Sequence, residues 1–221
     1  MERARGWRRQ LPNQLTLLRL VMAVAFFATL GAGVPAADTL QARGLWGLAA
    51  TILFVAGAAT DALDGWLARR WNAVSAFGRV MDPFVDKVLV LGAFVYLAAM
   101  PTMTTTPTTT GGDLPAISTG VAAWMATTML ARELLVTSLR GWLEGLGVAF
   151  PADPVGKAKM VLQSVAVPVV LVVATQPSFE GDAFWIAFRS VVVWATVAVT
   201  IASAVPYVQR AIRATRDAER R

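Results

Sequence analysis

Six long apolar segments follow one another along the chain, separated by shorter polar stretches. They run roughly over 14–32, 45–68, 82–100, 117–140, 157–175 and 184–206. Each is close to the roughly 20 residues that a helix needs to cross the hydrocarbon of a bilayer. The apolar runs are continuous and show no strict alternation, so the pattern favours helices over strands. The sequence therefore predicts an all-α membrane protein with six transmembrane helices.

Basic residues are concentrated at alternate ends of these segments. On one side they are Arg3, Arg5, Arg8, Arg9, Arg69, Arg70, Arg79, Arg140, Lys157, Lys159, Arg210, Arg213, Arg216, Arg220 and Arg221, whereas the other side has Arg43 and Arg189. The positive-inside rule then places both termini in the cytoplasm. We expect residues 1–13 to form a short basic arm at the membrane interface, 14–209 a six-helix domain and 210–221 a basic cytoplasmic tail. A cleaved signal peptide is the alternative interpretation of the first segment.

The composition limits the chemistry that the chain can perform. It is 56% hydrophobic and 15% charged, and it contains neither cysteine nor histidine. Thiolate nucleophiles, cysteine-ligated metals and a histidine base are therefore excluded. The net charge is +6, and its clustering at the ends of apolar segments indicates membrane orientation instead of a nucleic-acid partner.

Four aspartates interrupt the apolar pattern at the second and third segments. Asp61 and Asp64 are three residues apart, and Asp82 and Asp86 are four apart, so each pair shares one helix face. Pro83 is favourable in a first helical turn, which predicts that the third helix begins near Asp82. A short cytoplasmic turn would make the two helices antiparallel neighbours, with both pairs of carboxylates facing each other.

These carboxylates need counter-charge at their depth in the membrane. Asp61 lies eight residues before Arg69, which places it about 12 Å deeper along a helix. Unpaired anions at that depth are costly. The nearby cations that we expect to neutralise them are Arg69, Arg70, Arg79 and Lys87.

Three interpretations of the aspartates remain at this point. They are ion pairs that pack the helices, a pathway for protons or ions, or a metal site. Carboxylate oxygens suit a hard cation, Mg²⁺ or Mn²⁺, and two divalent ions would neutralise four carboxylates and could assist phosphoryl displacement. Gly65, Gly78 and Ala68 leave room for a ligand, and Arg69 could bind a phosphate bidentately.

Eight of these residues form one pattern, D-x2-D-G-x2-A-R-x8-G-x3-D-x3-D, over 61–86. The pattern resembles the signature of the CDP-alcohol phosphotransferases. That resemblance implies a six-helix membrane enzyme, usually a homodimer, which transfers a phosphatidyl or similar group from a CDP-linked donor to an alcohol and releases CMP. It implies that Asp61, Asp64, Asp82 and Asp86 hold two divalent cations and that Asp86 is also the catalytic base. Its implied CDP site consists of Gly65, Ala68, Arg69 and Gly78.

Other stretches indicate which alcohol is the acceptor. LPNQLTLLRL at 11–20, ARELLVTSLRGWLEGLG at 131–147 and GKAKMVLQ at 156–163 resemble the phosphatidylglycerophosphate synthase branch of the family. This likeness implies CDP-diacylglycerol as the donor and glycerol 3-phosphate as the acceptor. It also implies a location in a bacterial inner membrane, with the active site facing the cytoplasm. The alternatives are phosphatidylglycerol, inositol phosphate or serine as acceptor, or a cation transporter with no CMP release.

An acceptor that is a dianion needs fixed cations near the metals. The candidates for binding its phosphate are Arg132, Arg140, Lys157 and Lys159, and we favour Arg132 or Arg140 acting with Lys157. The alternative for Arg132 is a salt bridge to Glu133 or to an aspartate, and the alternative for the others is membrane anchoring. Near the start of the first helix, Asn13, Thr16 and Arg19 could reach the nucleotide or headgroup, or could cap and snorkel.

Overall fold

The backbone is helical over almost all of the residues that can be described. The computed structural model describes the backbone of residues 3–71, 76–103, 117–145, 154–179 and 181–219, and the side chains of 14–61, 63, 81, 83–101, 117–145, 155–179 and 181–216. Those ranges contain no strand, and they form seven α-helices: α1 (Arg3–Ala28), α2 (Leu40–Trp71), α3 (Ala76–Met103), α4 (Ala123–Gly145), α5 (Pro154–Thr175), α6 (Ala183–Ala202) and α7 (Val205–Glu219). The predicted all-α class is confirmed.

Several of these helices are long and apolar enough to cross a membrane. Five such segments lie within the described residues: Gln14–Gly33, Leu40–Asp61, Pro83–Pro101, Val155–Thr175 and Ala183–Arg216. Each falls on an apolar segment of the sequence, and the chain is an integral membrane protein. The helix α4 has 23 residues but is not among the five, and it carries Arg132, Glu133, Arg140 and Glu144.

Two predicted helix starts are wrong. The helix α3 begins at Ala76, so Pro83 lies inside it and not in its first turn. A proline removes one backbone hydrogen bond and crowds the preceding turn, but it does not end a helix whose neighbouring bonds are made. The helix α4 begins at Ala123, and residues 117–122 are not helical. The predicted turn between the second and third helices lies outside the described backbone at 72–75.

The segment that precedes α4 is held by its own polar contacts. The hydroxyl of Thr119 donates to the carbonyl of Leu97 on α3 at 2.8 Å and accepts from the backbone N–H of Val121 at 3.2 Å. Gly120 has a φ of +72°, a conformation that residues with a Cβ rarely adopt. These features explain why the apolar pattern at 117–122 does not become a turn of helix.

The core lies where α1, α2, α3 and α5 pack against one another. Phe26 of α1 and Phe54 of α2 are fully buried, with ring centroids 5.6 Å apart, and Phe94 and Leu97 of α3 are buried in the same cluster. Large apolar side chains also point outward, including Leu17, Val21, Ile52, Val161 and Val191. An outer surface of this kind matches lipid contact.

Small residues allow these helices to approach closely. A Cβ at Gly47 of α2 would collide with the side chain of Thr175 on α5, and a Cβ at Gly92 of α3 would lie 2.5 Å from the ring of Phe27 on α1. Small residues at helix contacts are typical of membrane proteins, where packing must replace the hydrophobic effect. This packing brings the start of α3, the second half of α4 and the start of α5 together at one end of the bundle.

Candidate active site

A cavity of about 310 Å³ opens at this end of the bundle. Its walls come from α3, α4 and α5, with Tyr207 contributed by α7. Asp86 lines it, and so do all four basic residues that the sequence suggested for an acceptor phosphate: Arg132, Arg140, Lys157 and Lys159. Residues more than 70 positions apart in the sequence therefore line one cavity, together with the carboxylate of Asp86.

Asp86 lies in the first half of α3 and is partly buried. Charges from several helices act on its carboxylate: Asp61 and Glu133 repel its negative charge, whereas Arg19 and Lys159 attract it. Asp61 and Asp86, one from each predicted pair, are thus near enough to interact. Two negative charges in a membrane protein repel each other, and a bound cation would offset that repulsion.

Asp61 is paired with an arginine that the sequence analysis did not assign to it. The Arg19 Nη1 atom lies 2.5 Å from the Asp61 Oδ1 atom, and the Arg19 side chain is fully buried while that of Asp61 is 37% exposed. Arg19 belongs to α1, so the pair joins α1 to α2. The described partner of Asp61 thus comes from another helix, and the expectation that local cations neutralise the aspartates stays a prediction. Arg69, Arg70 and Arg79 lie outside the described side chains.

Glu133, on the wall of the cavity, lies close to three cationic side chains. Its carboxylate lies 2.5 Å from Lys159 Nζ, 3.1 Å from Arg132 Nη1 and 3.7 Å from Lys87 Nζ. Lys87 also donates to the hydroxyl of Thr137 at 2.9 Å. The described contacts of Lys87 are therefore with α4.

Arg132 makes the salt bridge to Glu133 that was the alternative to its phosphate-binding role. It also donates to the carbonyl of Ser203 at 3.3 Å, and its guanidinium lies 5.6 Å from the centre of the Tyr207 ring. The side chain is buried. These contacts fix its planar fork in one orientation, which a solvent-exposed arginine would not have.

Arg140 and Lys157 lie farther out than Arg132 and Lys159. Both side chains are exposed, whereas those of Arg132 and Lys159 are buried. Arg140 is eight residues beyond Arg132 on α4, about 12 Å along the helix axis. The cavity thus has two sets of cations, an inner set held by Glu133 and an outer set at its mouth.

Several predicted site residues lie outside the side chains that the structure describes. They are Asn13, Asp64, Gly65, Ala68, Arg69, Gly78 and Asp82. Their predicted roles stay predictions. Among the described side chains, no three acidic groups come together as a metal site. The two described aspartates supply carboxylate oxygens, the donors that a hard divalent cation prefers.

The sequence analysis missed two contributors to this end of the molecule. Tyr207 follows the last apolar segment directly and has no predicted role, yet it lies in the cavity wall against Arg132. Arg19 was considered for nucleotide binding or snorkelling, not as the partner of Asp61. One signal was present for Arg19, since a charged residue inside an apolar segment needs a buried partner. Nothing in the sequence singled out Tyr207.

Comparison of the sequence with known proteins identifies its family. The profile of the CDP-alcohol phosphatidyltransferase family matches residues 9–202. The chain belongs to this family. The match covers all of the described cavity except Tyr207, and it confirms the resemblance seen in the aspartate pattern.

Curated relatives of this CDP-alcohol phosphatidyltransferase carry more specific names. One from Bacillus subtilis, named CDP-diacylglycerol–glycerol-3-phosphate 3-phosphatidyltransferase, is 31% identical over 209 residues, 89% of this chain and 92% of its own length. Another from Mycobacterium tuberculosis, named a probable phosphatidylglycerophosphate synthase, is 34% identical over 205 residues, 92% and 82% of the two chains. A third from Escherichia coli shares the first name and is 31% identical over 163 residues, 71% and 73% of the two chains.

Proposed function

We propose that this enzyme transfers the phosphatidyl group from CDP-diacylglycerol to glycerol 3-phosphate, giving phosphatidylglycerophosphate and CMP. The observation that carries the proposal is the single cavity in which Asp86 lies together with Arg132, Arg140, Lys157 and Lys159. A carboxylate and a set of cations in one space suit an acceptor that has both a hydroxyl group and a phosphate. The names of the bacterial relatives support the same donor and acceptor.

The acceptor phosphate binds at the mouth of the cavity in this proposal. Arg140 and Lys157 are exposed at the mouth, where a phosphate from solution arrives first, whereas Arg132 and Lys159 are buried beside Glu133. The inner pair then adds positive potential that draws the dianion inward. With its phosphate at the mouth, the acceptor directs its hydroxyl towards Asp86.

The reaction forms one bond to phosphorus and breaks another. The acceptor hydroxyl oxygen attacks the phosphorus that carries diacylglycerol, the bond from that phosphorus to CMP breaks, and the hydroxyl proton passes to the Asp86 carboxylate. A carboxylate is a weak base, so Asp86 acts chiefly by holding the hydroxyl in position.

Divalent cations complete the proposed site. Asp61, Asp64, Asp82 and Asp86 hold two ions, Mg²⁺ or Mn²⁺, in this proposal, and their oxygen ligands match the preference of such ions. When bound, the ions neutralise charge on the diphosphate and stabilise CMP as it leaves. Arg19 keeps Asp61 in place through its buried ion pair. Gly65, Ala68, Arg69 and Gly78 form the proposed CDP site, with Arg69 on the diphosphate.

We place this enzyme in the inner membrane of a bacterium, with six crossings, both termini in the cytoplasm and the cavity facing the cytoplasm. The clustering of basic residues at one side supports this orientation. In this arrangement α4 is the sixth crossing, and three of its charged residues, Arg132, Glu133 and Arg140, line the cavity. The homodimer implied by the family resemblance is part of the proposal, and light scattering of the detergent-solubilised protein tests it.

Release of CMP from CDP-diacylglycerol tests the acceptor. The purified protein receives Mg²⁺ and one acceptor at a time: glycerol 3-phosphate, phosphatidylglycerol, inositol phosphate or serine. We expect CMP release with glycerol 3-phosphate and loss of that release in Asp86→Asn. Release with another alcohol alone would retain the family chemistry and contradict the acceptor.

A further inference from the structure

The inner part of the reaction cavity carries two uncharged polar side chains that have no part in the reaction proposed above. Gln163 and Ser164 of α5 line it, beside the apolar Val90 and Leu91 of α3. Gln163 follows Lys159 by four residues, so the two share one face of α5, and Gln163 lies about 6 Å farther along the helix. An amide and a hydroxyl group therefore lie just beyond the inner cations.

Gln163 is buried, and the hydrogen-bonding capacity of its amide is only partly used. The residue is only 2% exposed, and its Nε2 atom donates to the hydroxyl of Thr200 on α6 at 3.3 Å. Within the described part of the chain this is the one hydrogen bond of the Gln163 side chain, although an amide can make about four. A buried amide with unused groups is costly, and in the wall of a cavity a bound ligand can supply the missing partner.

Ser164 adds a hydroxyl group to the same region. Several helical hydroxyl groups in this protein donate to the carbonyl four residues before them, as those of Thr60 and Ser190 do at 2.7 and 2.8 Å. Ser164 is half-buried and makes no such bond in the part of the chain that the structure describes. Its hydroxyl is therefore available to a ligand in the cavity.

The chemistry of these two groups suits a neutral hydroxyl on the ligand. An amide and a hydroxyl both donate and accept hydrogen bonds, whereas the cations beside Glu133 suit an anion. Helical side chains lean towards the N-terminus of their helix, so the amide of Gln163 is directed towards the level of Lys159. With its phosphate at the mouth and its reacting hydroxyl at Asp86, glycerol 3-phosphate has one more hydroxyl, on its middle carbon. No residue has so far been assigned to that group.

We propose that Gln163, assisted by Ser164, binds the middle hydroxyl of the acceptor and so selects glycerol 3-phosphate over phosphates that lack this group. The inference rests on the proposed function and adds the residues that determine its specificity. The contact with Thr200 holds the amide in position for this bond. An acceptor without the middle hydroxyl leaves the buried amide unpaired, which is the physical basis for its rejection.

Two acceptors that differ by this one hydroxyl test the inference. They are glycerol 3-phosphate and 3-hydroxypropyl phosphate, which keeps the phosphate and the terminal hydroxyl. CMP release with CDP-diacylglycerol and Mg²⁺ gives kcat/KM for each acceptor. For the wild type we expect kcat/KM to be about 100-fold higher with glycerol 3-phosphate. In Gln163→Met this ratio falls to about tenfold or less, because activity with glycerol 3-phosphate is lost while activity with the analogue is retained.

Further variants separate recognition of the hydroxyl from a structural role of Gln163. Gln163→Asn keeps a buried amide but shortens its reach, and it should lower the ratio as well, whereas Ser164→Ala should lower it by a smaller factor. Gln209→Met is the matched control, since Gln209 is an exposed glutamine on α7 that does not line the cavity, and it should keep the ratio of the wild type. A purely structural role of Gln163 would lower both kcat/KM values equally and leave the ratio unchanged.

The two acceptors also distinguish failure of this inference from failure of the proposed function. An unchanged ratio in both Gln163 variants would overturn the inference and leave the proposed function intact. A wild-type ratio close to one would do the same, and that result needs no variant to fold. Absence of CMP release with glycerol 3-phosphate from folded wild type would overturn the proposed function, and this inference with it.

Discussion

Individual ion pairs decide how charge is arranged around the reaction cavity. Glu133 binds Arg132, Lys159 and Lys87, while Asp61 binds Arg19 from another helix. The stability of the protein depends on both partners of a buried ion pair, because removal of one partner leaves the other charge uncompensated. The two carboxylates can therefore be tested separately.

Glu133→Gln should lower both kcat and the KM for glycerol 3-phosphate. The amide keeps the shape of the side chain but no longer holds Lys159 and Arg132, so these cations compete for the acceptor phosphate deeper in the cavity. The acceptor then binds more tightly in an unproductive position, and we expect kcat to fall about tenfold or more. Steady-state kinetics with varied glycerol 3-phosphate measure both constants.

Glu144→Gln is the matched control, since Glu144 is an exposed glutamate on the same helix. It should leave both constants unchanged. An increase in acceptor KM with kcat preserved in Glu133→Gln would contradict this account, because it would mean that Arg132 and Lys159 themselves bind the phosphate while Glu133 holds them.

Arg19→Gln should destabilise the folded protein even when EDTA removes divalent cations. The change removes the charged hydrogen bond from Arg19 to the Asp61 carboxylate, a loss on the order of 1–3 kcal/mol. Thermal unfolding in detergent measures the effect, which corresponds to roughly 2–10 °C for a chain of this size. Arg213→Gln, an exposed arginine on α7, is the control and should be neutral.

Combining Arg19→Gln with Asp61→Asn tests whether the two side chains act as a pair. If they do, the double variant is less destabilised than the sum of the single variants, because either change already breaks the same contact. Strictly additive losses would show that Arg19 stabilises the protein through other neighbours.

At the scale of helices, the sequence predicted which segments are helical but not where they meet. The long apolar runs identified α1, α2, α3, α5 and α6, because hydrophobic length is itself the physical requirement for crossing a bilayer. Helix ends were less predictable. Pro83 lies inside α3, and Gly120 with the contacts of Thr119 keeps residues 117–122 out of α4. These outcomes depend on contacts with other helices.

The same limit applies to the candidate site. The salt bridge of Arg132 was an alternative interpretation of the sequence, with Glu133 or an aspartate as partner, and the structure shows Glu133. The contact of Glu133 with Lys159 and that of Arg19 with Asp61 join residues of different helices. Such contacts depend on helix register and rotation, which hydrophobic periodicity in one sequence does not determine.

Gly47→Ala should destabilise the contact between α2 and α5. The added Cβ collides with the side chain of Thr175, so the helices must separate or the threonine must move. We expect a loss of about 1–3 kcal/mol, typical of overpacking, seen as a lower unfolding midpoint. Adding Thr175→Ala should recover much of the loss.

Gly141→Ala is the control for the glycine itself. No atom lies within 4 Å of a Cβ at Gly141, so this variant should be neutral or slightly more stable through helix propensity. An equal loss in Gly47→Ala and Gly141→Ala would contradict a role for close packing at Gly47.

At the scale of the whole molecule, the proposed orientation assigns the two ends of the bundle to opposite sides of the membrane. The chain has no cysteine, so single cysteines can be introduced as labels. Ser178 lies between α5 and α6, Thr215 lies on α7, and both side chains are exposed. The two labelling variants are Ser178→Cys and Thr215→Cys. In spheroplasts, a membrane-impermeant maleimide should label Ser178→Cys directly and Thr215→Cys only after permeabilisation. The reverse pattern would contradict the positive-inside assignment.

The central claim is the transfer of a phosphatidyl group to glycerol 3-phosphate in the cavity that contains Asp86. Incorporation of radiolabelled glycerol 3-phosphate into extractable lipid measures it most directly, with CMP counted in the same reaction. The account predicts that labelled lipid and CMP form in equal amounts with CDP-diacylglycerol and Mg²⁺, and that Asp86→Asn forms neither. CMP release without label in the lipid, from folded protein, would contradict it.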